Sequence, residues 1–354
     1  MRKITSLLIL LCMFVGTAWA ENFPFKVSSA DSKHYYYIKS GRDNDGKTWW
    51  FTYTADDAKI DLTQFDELDT QLWYFMEVED GDKTYLQIFP KAGEGKAMSY
   101  EDSNNGAGKV VAKELGTEGW YNTWTFVTTE GETPYAFKTS DDKNYLSNNG
   151  GVGYKIGMWN DTPKNDKGTA IYILSPEDVM ADFIKTAEDL VKDAKVGTTE
   201  PGYFTEASIA ALNAAIESAK IEEQKGNYIT VQLREAIDAF RPIMPQEGKF
   251  YVIEAPLFYS KQGISKGLCV TDNSLTWNTI DLTDKNYYWN VEINVGKFAL
   301  KNVATGKYIY NTGEFVDEPN YGSLNYLSQQ QFNIVIGGHT FHANGHNGGL
   351  NPNG

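Results

Sequence analysis

Gly263-Ile264-Ser265-Lys266-Gly267 has the G-x-S-x-G spacing of a serine nucleophile raised on a sharp strand-to-helix turn. The next residues, Leu268-Cys269-Val270, continue as strand, so the helix that completes such an elbow is missing. His339, His342 and His346 are close enough in sequence to suggest a metal. They sit in a Gly- and Asn-rich stretch that offers nothing to make the imidazoles converge. Asp43-Asn44-Asp45-Gly46 begins like a calcium loop and then lacks the later ligands and the distal Glu. The scattered Asp and Glu cannot be paired into an acid and a nucleophile without knowing their separation in space. The expectation is a chain with no catalytic constellation, no metal and no cofactor. What the composition does offer is aromatics: nine Trp and 22 Tyr in a polar, Gly-rich chain fit short strands joined by turns, with some left over for recognition.

Those residues have to be placed by a fold, and length and composition limit which. The chain has 354 residues, enough for two or three domains. It opens with Arg2 and Lys3, an apolar run from Ile4 to Val15 and the small-residue end Ala18-Trp19-Ala20. That order reads as a secretory signal over residues 1–20, cleaved near Ala20, leaving a protein that is secreted or held at the cell surface. The run is short for a bilayer span, and no later segment approaches one, so membrane insertion is not expected. Cys12 is preceded by the bulky Leu11 where a lipidation signal would want a small residue. Cys269 is then the only cysteine of the mature chain, which excludes an internal disulfide. A formal net charge of −15 disfavours nucleic acid and anionic membranes as partners.

From residue 21 to 175 short apolar runs alternate with Gly, Asn and Asp clusters, the texture of strands joined by tight turns. Thr70-Gln71-Leu72-Trp73 has a weaker copy at Asn122-Thr123-Trp124, and Ile171 closes a third run. Three such units close on a threefold axis as a β-trefoil, with Trp73 and Trp124 in the shared core. Pro176 changes the pattern. Ser175 caps, Pro176 takes the first helical position, and Val179, Phe183, Ala187, Leu190 and Ala194 keep a helical stripe. Thr205 caps a second helix with Ile209, Leu212, Ile216 and Ala219 inward, and Leu233, Ile237 and Phe240 mark a third. Residues 176–245 thus read as a three-helix bundle acting as a rigid spacer.

The strand texture returns over residues 246–354. Ile280-Asp281-Leu282-Thr283 before Trp289 repeats Ile60-Asp61-Leu62-Thr63 before Trp73, which suggests an internal duplication. Trp289 and Phe332 are the expected core aromatics, and a third unit starts at His339 and stops in a turn at Gly354. The expected class is mainly β with a helical insert: a β-trefoil, a three-helix bundle and a partial β-trefoil. The unfinished third unit also leaves room for a catalytic domain in cis beyond Gly354.

The Gln-x-Trp step, the threefold unit and the Gly/Asn turns resemble the ricin-type β-trefoil lectins, over about residues 23–174 and, incompletely, 248–354. Gly202-Tyr203, residues 212–219 and residues 236–240 resemble the FIVAR-type spacers of secreted bacterial glycan-active proteins. The first resemblance implies a carbohydrate partner and a shallow sugar site in each unit. An Asp or Asn after the second strand would bind hydroxyls, and an aromatic on the third strand would stack on the ring. Carried over, it implies Asn148 or Asn149 with Trp159, flanked by Asn160 and Asp161, although Thr169 replaces the supporting Gln. The second unit offers Asp102 and Asn122 but puts Lys113 at the stacking position. In the second β region, Asp272 pairs with Trp277 and, more weakly, Asn311 with Tyr326.

Overall fold

The computed structural model describes residues 23–43, 47–101, 109–128, 134–149, 156–254, 266–310, 314–326, 332–336 and 339–341. The signal segment, Asp102, Asn311, His342 and His346 therefore lie outside the described residues. Contacts divide the chain into two compact units, Met1–Phe183 with Ala219–Val231, and Ile184–Ser218 with Gln232–Gly354. This two-way division falls inside the helices, whereas the change of sequence texture falls at 175 and 245.

In the first unit four strands make the first repeat: β1 (Tyr36–Ser40), β2 (Trp50–Thr54), β3 (Lys59–Thr63) and β4 (Leu72–Asp80). The second repeat is β5 (Lys83–Pro90), β6 (Lys96–Glu101), β7 (Val110–Glu114) and β9 (Trp124–Thr128), with an extra short β8 (Trp120–Tyr121). The third is β10 (Tyr135–Thr139), β11 (Tyr145–Asn148), β12 (Ile156–Trp159) and β13 (Ile171–Leu174). Within each repeat the first strand pairs with the last: β1 with β4, β5 with β9, β10 with β13. Each last strand also pairs with the next first strand, β4 with β5, β9 with β10 and β13 with β1. Those six antiparallel pairings close a six-stranded ring that has no free edge. The middle strands form three hairpins, β2–β3, β6–β7 and β11–β12. This is a β-trefoil.

Strand alternation places the core. In β3, Ile60 and Leu62 point inward while Lys59 and Asp61 are exposed. Trp73 and Trp124 are fully buried in the core with Phe51, Phe75, Met98 and Phe137. Each indole also satisfies its own polar atom: Trp73 Nε1 donates to Phe51 O at 2.9 Å and Trp124 Nε1 to Met98 O at 3.0 Å. Phe51 and Met98 occupy matching places on the middle strands, so the two bonds are related by the threefold repeat. Gln71 is buried as well. Its Oε1 accepts from the amides of Asp66 and Glu67, and its Nε2 donates to Gln64 O and Thr63 Oγ1. One amide side chain thereby ties the whole β3–β4 loop.

The helices are α1 (Pro176–Asp193), α2 (Glu206–Gln224) and α3 (Val231–Ala239). Ser175 and Asp178 form a reciprocal cap: Asp178 N donates to Ser175 Oγ at 3.0 Å and Ser175 N to Asp178 Oδ2 at 2.8 Å. Thr205 Oγ1 accepts from Ser208 N. The buried stripe of α1 is Val179, Met180, Ile184 and Ala187, and Leu190, expected on it, is exposed because the stripe ends a turn earlier. Within the first unit Val179 and Phe183 pack on Tyr37, Trp50, Leu72 and Phe65. Thr230 is bound there through Glu67, whose carboxylate accepts from its N and Oγ1 at 2.7 and 3.0 Å.

The second unit repeats part of the strand pattern. Its strands are β14 (Phe250–Val252), β15 (Lys266–Thr271), β16 (Ser274–Thr279), β17 (Tyr288–Asn294) and β18 (Lys297–Asn302). They continue with β19 (Tyr308–Ile309), β20 (Phe315–Val316), β21 (Ser323–Tyr326), β22 (Phe332–Ile336) and β23 (His339–Phe341). First and last strands pair again, β14 with β17, and β17 goes on to β18. Trp289 is fully buried and its Nε1 donates to Leu268 O at 2.9 Å, the counterpart of the Trp73 bond. Tyr287 stands where Gln71 stands and closes its loop with one bond, from its hydroxyl to Thr279 O at 2.7 Å.

Two expectations are corrected here. Phe332 is not a core residue: it is half-buried at the start of β22, edge-on to Tyr326, and Ile336 at the far end of the strand is the fully buried one. The repeated tetrapeptide does not occupy repeated structure. Ile60–Thr63 is strand β3, whereas Ile280–Thr283 follows β16 as a turn, with Leu282 exposed and Asp281 Oδ1 accepting from Thr283 N. The relation between the two β regions lies in strand pairing and in the Trp bonds, and the shared tetrapeptide does not contribute to it.

Candidate ligand-binding site

A row of side chains crosses three of the repeats where the first strand meets the hairpin. Lys39 is paired with Trp50, Lys138 with Tyr145 and Lys301 with Tyr308. In each case the ammonium lies over the ring, at 5.9, 5.5 and 4.9 Å from its centroid. The residue after each lysine, Ser40, Thr139 or Asn302, is buried and pairs with the closing residue Ile171, Trp124 or Trp289. These three rows are equivalent positions of the repeat, and their surroundings decide which is open.

The Trp50 row is covered. Phe65 lies against Trp50 at 4.8 Å between ring centroids, with Val179 and Phe183 in the same cluster. The Tyr308 row is occupied from within, because Tyr308 Oη donates to Glu292 at 2.8 Å. The third repeat differs. Tyr145 is directly opposite Trp159 in the β11–β12 hairpin, so both side chains stand on one face. Trp159 is 44% exposed, which is unusual for an indole in a chain that buries Trp73, Trp124 and Trp289 completely. Lys138 beside Tyr145 also contacts Asp142 at 3.4 Å, and Asp141 is held below the usual carboxylate range. Burial alone would raise Asp141; the hydrogen bonds from Thr139 and Lys143 and the Lys143 charge outweigh it.

The amides and acids expected around Trp159 divide into two sets. Asn160 is exposed next to it, whereas Asn149, also exposed, lies about four strand rises (roughly 13 Å) along the hairpin, since Trp159 is opposite Tyr145. Asn148 is fully buried: its Nδ2 donates to Ser40 Oγ at 3.1 Å and its N to Gly168 O at 2.8 Å, so it fastens the third repeat to β1 and offers nothing to a ligand. Asp161 is half-buried, and its Oδ1 accepts from Thr162 N and Asn165 Nδ2, organising the turn after β12. Asp166 in the same loop is salt-bridged to Arg42 and accepts from Gly168 N. Gly168 has no alternative, since a Cβ there would fall on the Asn148 carbonyl oxygen.

Asp272 and Trp277 do not form a pair. Asp272 sits in the β15–β16 turn with a positive φ of 52°, while Trp277 is opposite Leu268, well along the ladder. Roughly 13 Å of strand separates them, and Trp277 packs half-buried against the second core. In the second repeat of the trefoil, Asn122 Oδ1 accepts from Gln87 Nε2 at 2.8 Å and Lys113 lies over Trp120 at 5.1 Å. Those groups are committed internally. Sequence reasoning missed Tyr145 as the partner of Trp159; the available signal was the aromatic seven residues after Lys138, repeated from Lys301 to Tyr308.

Among the described residues no group of three or more His, Cys, Asp or Glu is placed to hold a metal ion. No helix among them is long and apolar enough to cross a membrane.

No family profile and no curated protein matches the sequence. Among solved structures the chain is similar to the Macrolepiota procera ricin B-like lectin in complex with lactose, at 15% identity over 43% of this chain and 100% of that one, with a TM-score of 0.33. It is similar to the Polyporus squamosus lectin bound to a human-type influenza-binding epitope, at 11% identity over 80% and 95% of the two chains and a TM-score of 0.34. A GlcNAcα1-4Gal-releasing endo-β-galactosidase from Clostridium perfringens matches at 13% identity over 42% of this chain and 35% of its own, TM-score 0.32. The trefoil assignment itself rests on the closed ring of strand pairings in the first unit.

Proposed function

We propose that the protein is a non-catalytic carbohydrate-binding protein whose live site in the first unit is the third repeat. The observation that carries this reading is the open Trp159, directly opposite Tyr145 and followed by the exposed amide of Asn160. An indole face covers the C–H face of a sugar ring, and a solvated amide at its rim meets the hydroxyls.

In this reading the chain is exported by its N-terminal segment and acts outside the cell or at its surface. The helical segment then serves as a connector of the FIVAR type between the trefoil and the second β region. A glycan array followed by calorimetry on the mature full chain tests it. Binding of at least one glycan, lost in Trp159→Ala with the fold intact, is the expected result. Absence of binding to plant, host and bacterial glycans at millimolar concentration would overturn it.

A further inference from the structure

We infer that Trp159 and Tyr145 form two adjacent subsites for consecutive rings of a neutral polysaccharide, which is held along its length and not by its terminal sugar. The inference rests on the carbohydrate reading above and adds the class of ligand.

Its first support is the set of polar groups around the aromatics. A pocket that selects one terminal sugar by its hydroxyl pattern needs buried polar groups aimed into it. Around Trp159 the buried amide, Asn148, is turned away and bound to Ser40. Asp161 has one oxygen committed to its own turn, through Thr162 and Asn165. Ser147, on the same face two residues along from Tyr145 and opposite Gly157, is a buried hydroxyl without a protein partner, but it is closed off from solvent and has no open surface to offer. Among the described residues, what remains around the aromatics is a solvated rim, with the amide of Asn160 next to Trp159 and that of Asn149 further along the hairpin. Such a rim reads stereochemistry weakly, so most of the grip falls to stacking.

Its second support is magnitude. One aromatic stacking contact is worth roughly tenfold in affinity at most, while a millimolar dissociation constant lies about a thousandfold below the molar reference. A single ring on Trp159 does not reach that. Tyr145 lies directly across the hairpin from Trp159. Opposite residues hold their Cβ atoms about 5 Å apart, on the scale of one sugar ring. The next ring of the same chain thus falls on the next aromatic. Charge selects among polymers: the protein is acidic, at −15, and the ammonium of this row, Lys138, is already engaged by Asp142 and the Tyr145 ring. A polyanion therefore gains little from Lys138.

The test is calorimetry on the mature full chain with unbranched glucan, xylan and galactan oligosaccharides of one to six units, with a polyuronate as the charged control. For at least one neutral series, affinity is expected to rise about tenfold or more from one unit to three and then level off. The free monosaccharide at millimolar concentration is expected not to displace the hexamer. Tyr145→Leu, which keeps apolar bulk under Lys138, should lower the affinity for the trimer several-fold with an unchanged melting curve; Trp159→Ala should abolish capture at every length. A monosaccharide that binds as tightly as its hexamer overturns the inference while leaving the carbohydrate reading standing. Tighter binding of the polyuronate than of any neutral series also overturns it. No binding to any glycan removes both.

Discussion

Asn148 on β11 donates from its Nδ2 to Ser40 Oγ on β1 at 3.1 Å, a bond between residues 108 positions apart. It crosses the seam where the trefoil's last repeat meets its first, beside the backbone bond from Asn148 N to Gly168 O. Ser40 Oγ also accepts from Arg42 N, so removing the Asn148 amide costs one buried hydrogen bond, about 1 kcal/mol, and orphans no group on Ser40. Asn148→Ala should therefore lower unfolding stability by that amount in urea. Asn148→Leu should cost more, because it adds overpacking in a filled seam to the lost bond. Glycan affinity of the folded fraction should not change. If Asn148→Ala abolished binding at full stability, the placement of this amide in the seam would be wrong.

Trp159 and Trp73 should respond in opposite ways. Trp159 is 44% exposed, so Trp159→Ala should change stability by less than about 0.5 kcal/mol, the usual range for surface positions. Trp73 is fully buried and its indole satisfies Phe51 O. Trp73→Phe leaves that carbonyl unpaired and a small void, and should cost about 2–4 kcal/mol. Trp289→Phe, which frees Leu268 O, should behave the same way in the second unit. Denaturant melts with ligand titrations on the same samples separate the two roles.

These contrasts also mark how far the sequence could be read. Trp73, Trp124 and Trp289 are legible because a Trp entering an apolar strand after a polar turn has few places to go except inward. The three helices are legible from caps and periodicity, as the Ser175–Asp178 pair illustrates. Asn148 and Asn149 are not separable by sequence: strand alternation turns one to the interior and the other to solvent, and a shift of one residue in register would exchange them. Asp272 and Trp277 look adjacent in sequence, but strand geometry extends the separation to several residue rises. Phe332 reads as a core residue only by analogy with the three tryptophans, whereas the core of that strand is filled by Ile336. The covering of Trp50 by Phe65, Val179 and Phe183 depends on contacts between distant segments, and no local pattern announces it.

Glu67 binds Thr230 through two hydrogen bonds across 163 positions, while Gln71 fixes the Glu67 backbone at a positive φ of 59°. The conspicuous Gln of the Gln-x-Trp step thereby holds the carboxylate that anchors Thr230. Hydrogen bonds to a charged group are the stronger kind, so Glu67→Ala should cost about 1.5–3 kcal/mol in the first unit. Amide exchange at Thr230 should accelerate well before that at the Trp73 strand does. Thr230→Val, which removes one of the two bonds, should give an intermediate effect. Equal exchange rates at Thr230 in the wild type and Glu67→Ala would show that the clamp does not hold this segment.

Tyr287 gives the second unit an alkaline limit. Burial pushes its hydroxyl up to about 12, helped by the neighbouring Cys269 and by Asp284 and Asp281. The folded state thus holds the Tyr287 proton more tightly than the unfolded chain, where tyrosine titrates near 10. A group raised on folding contributes stability that is complete below the unfolded value and is lost as pH climbs towards the folded one. The window is therefore from about 10 to about 12, and the loss should appear in the unit that contains Trp289. The bond from Tyr287 to Thr279 O breaks when the proton leaves, and an anion is left in a buried place next to Cys269. Tyrosinate absorbance, followed with Trp fluorescence against pH, should show a late component coincident with unfolding of that unit. Tyr287→Phe should lose the hydrogen bond at neutral pH, lowering stability by about 1 kcal/mol, and should remove the late component. Retention of that component in Tyr287→Phe would move the assignment to another tyrosine.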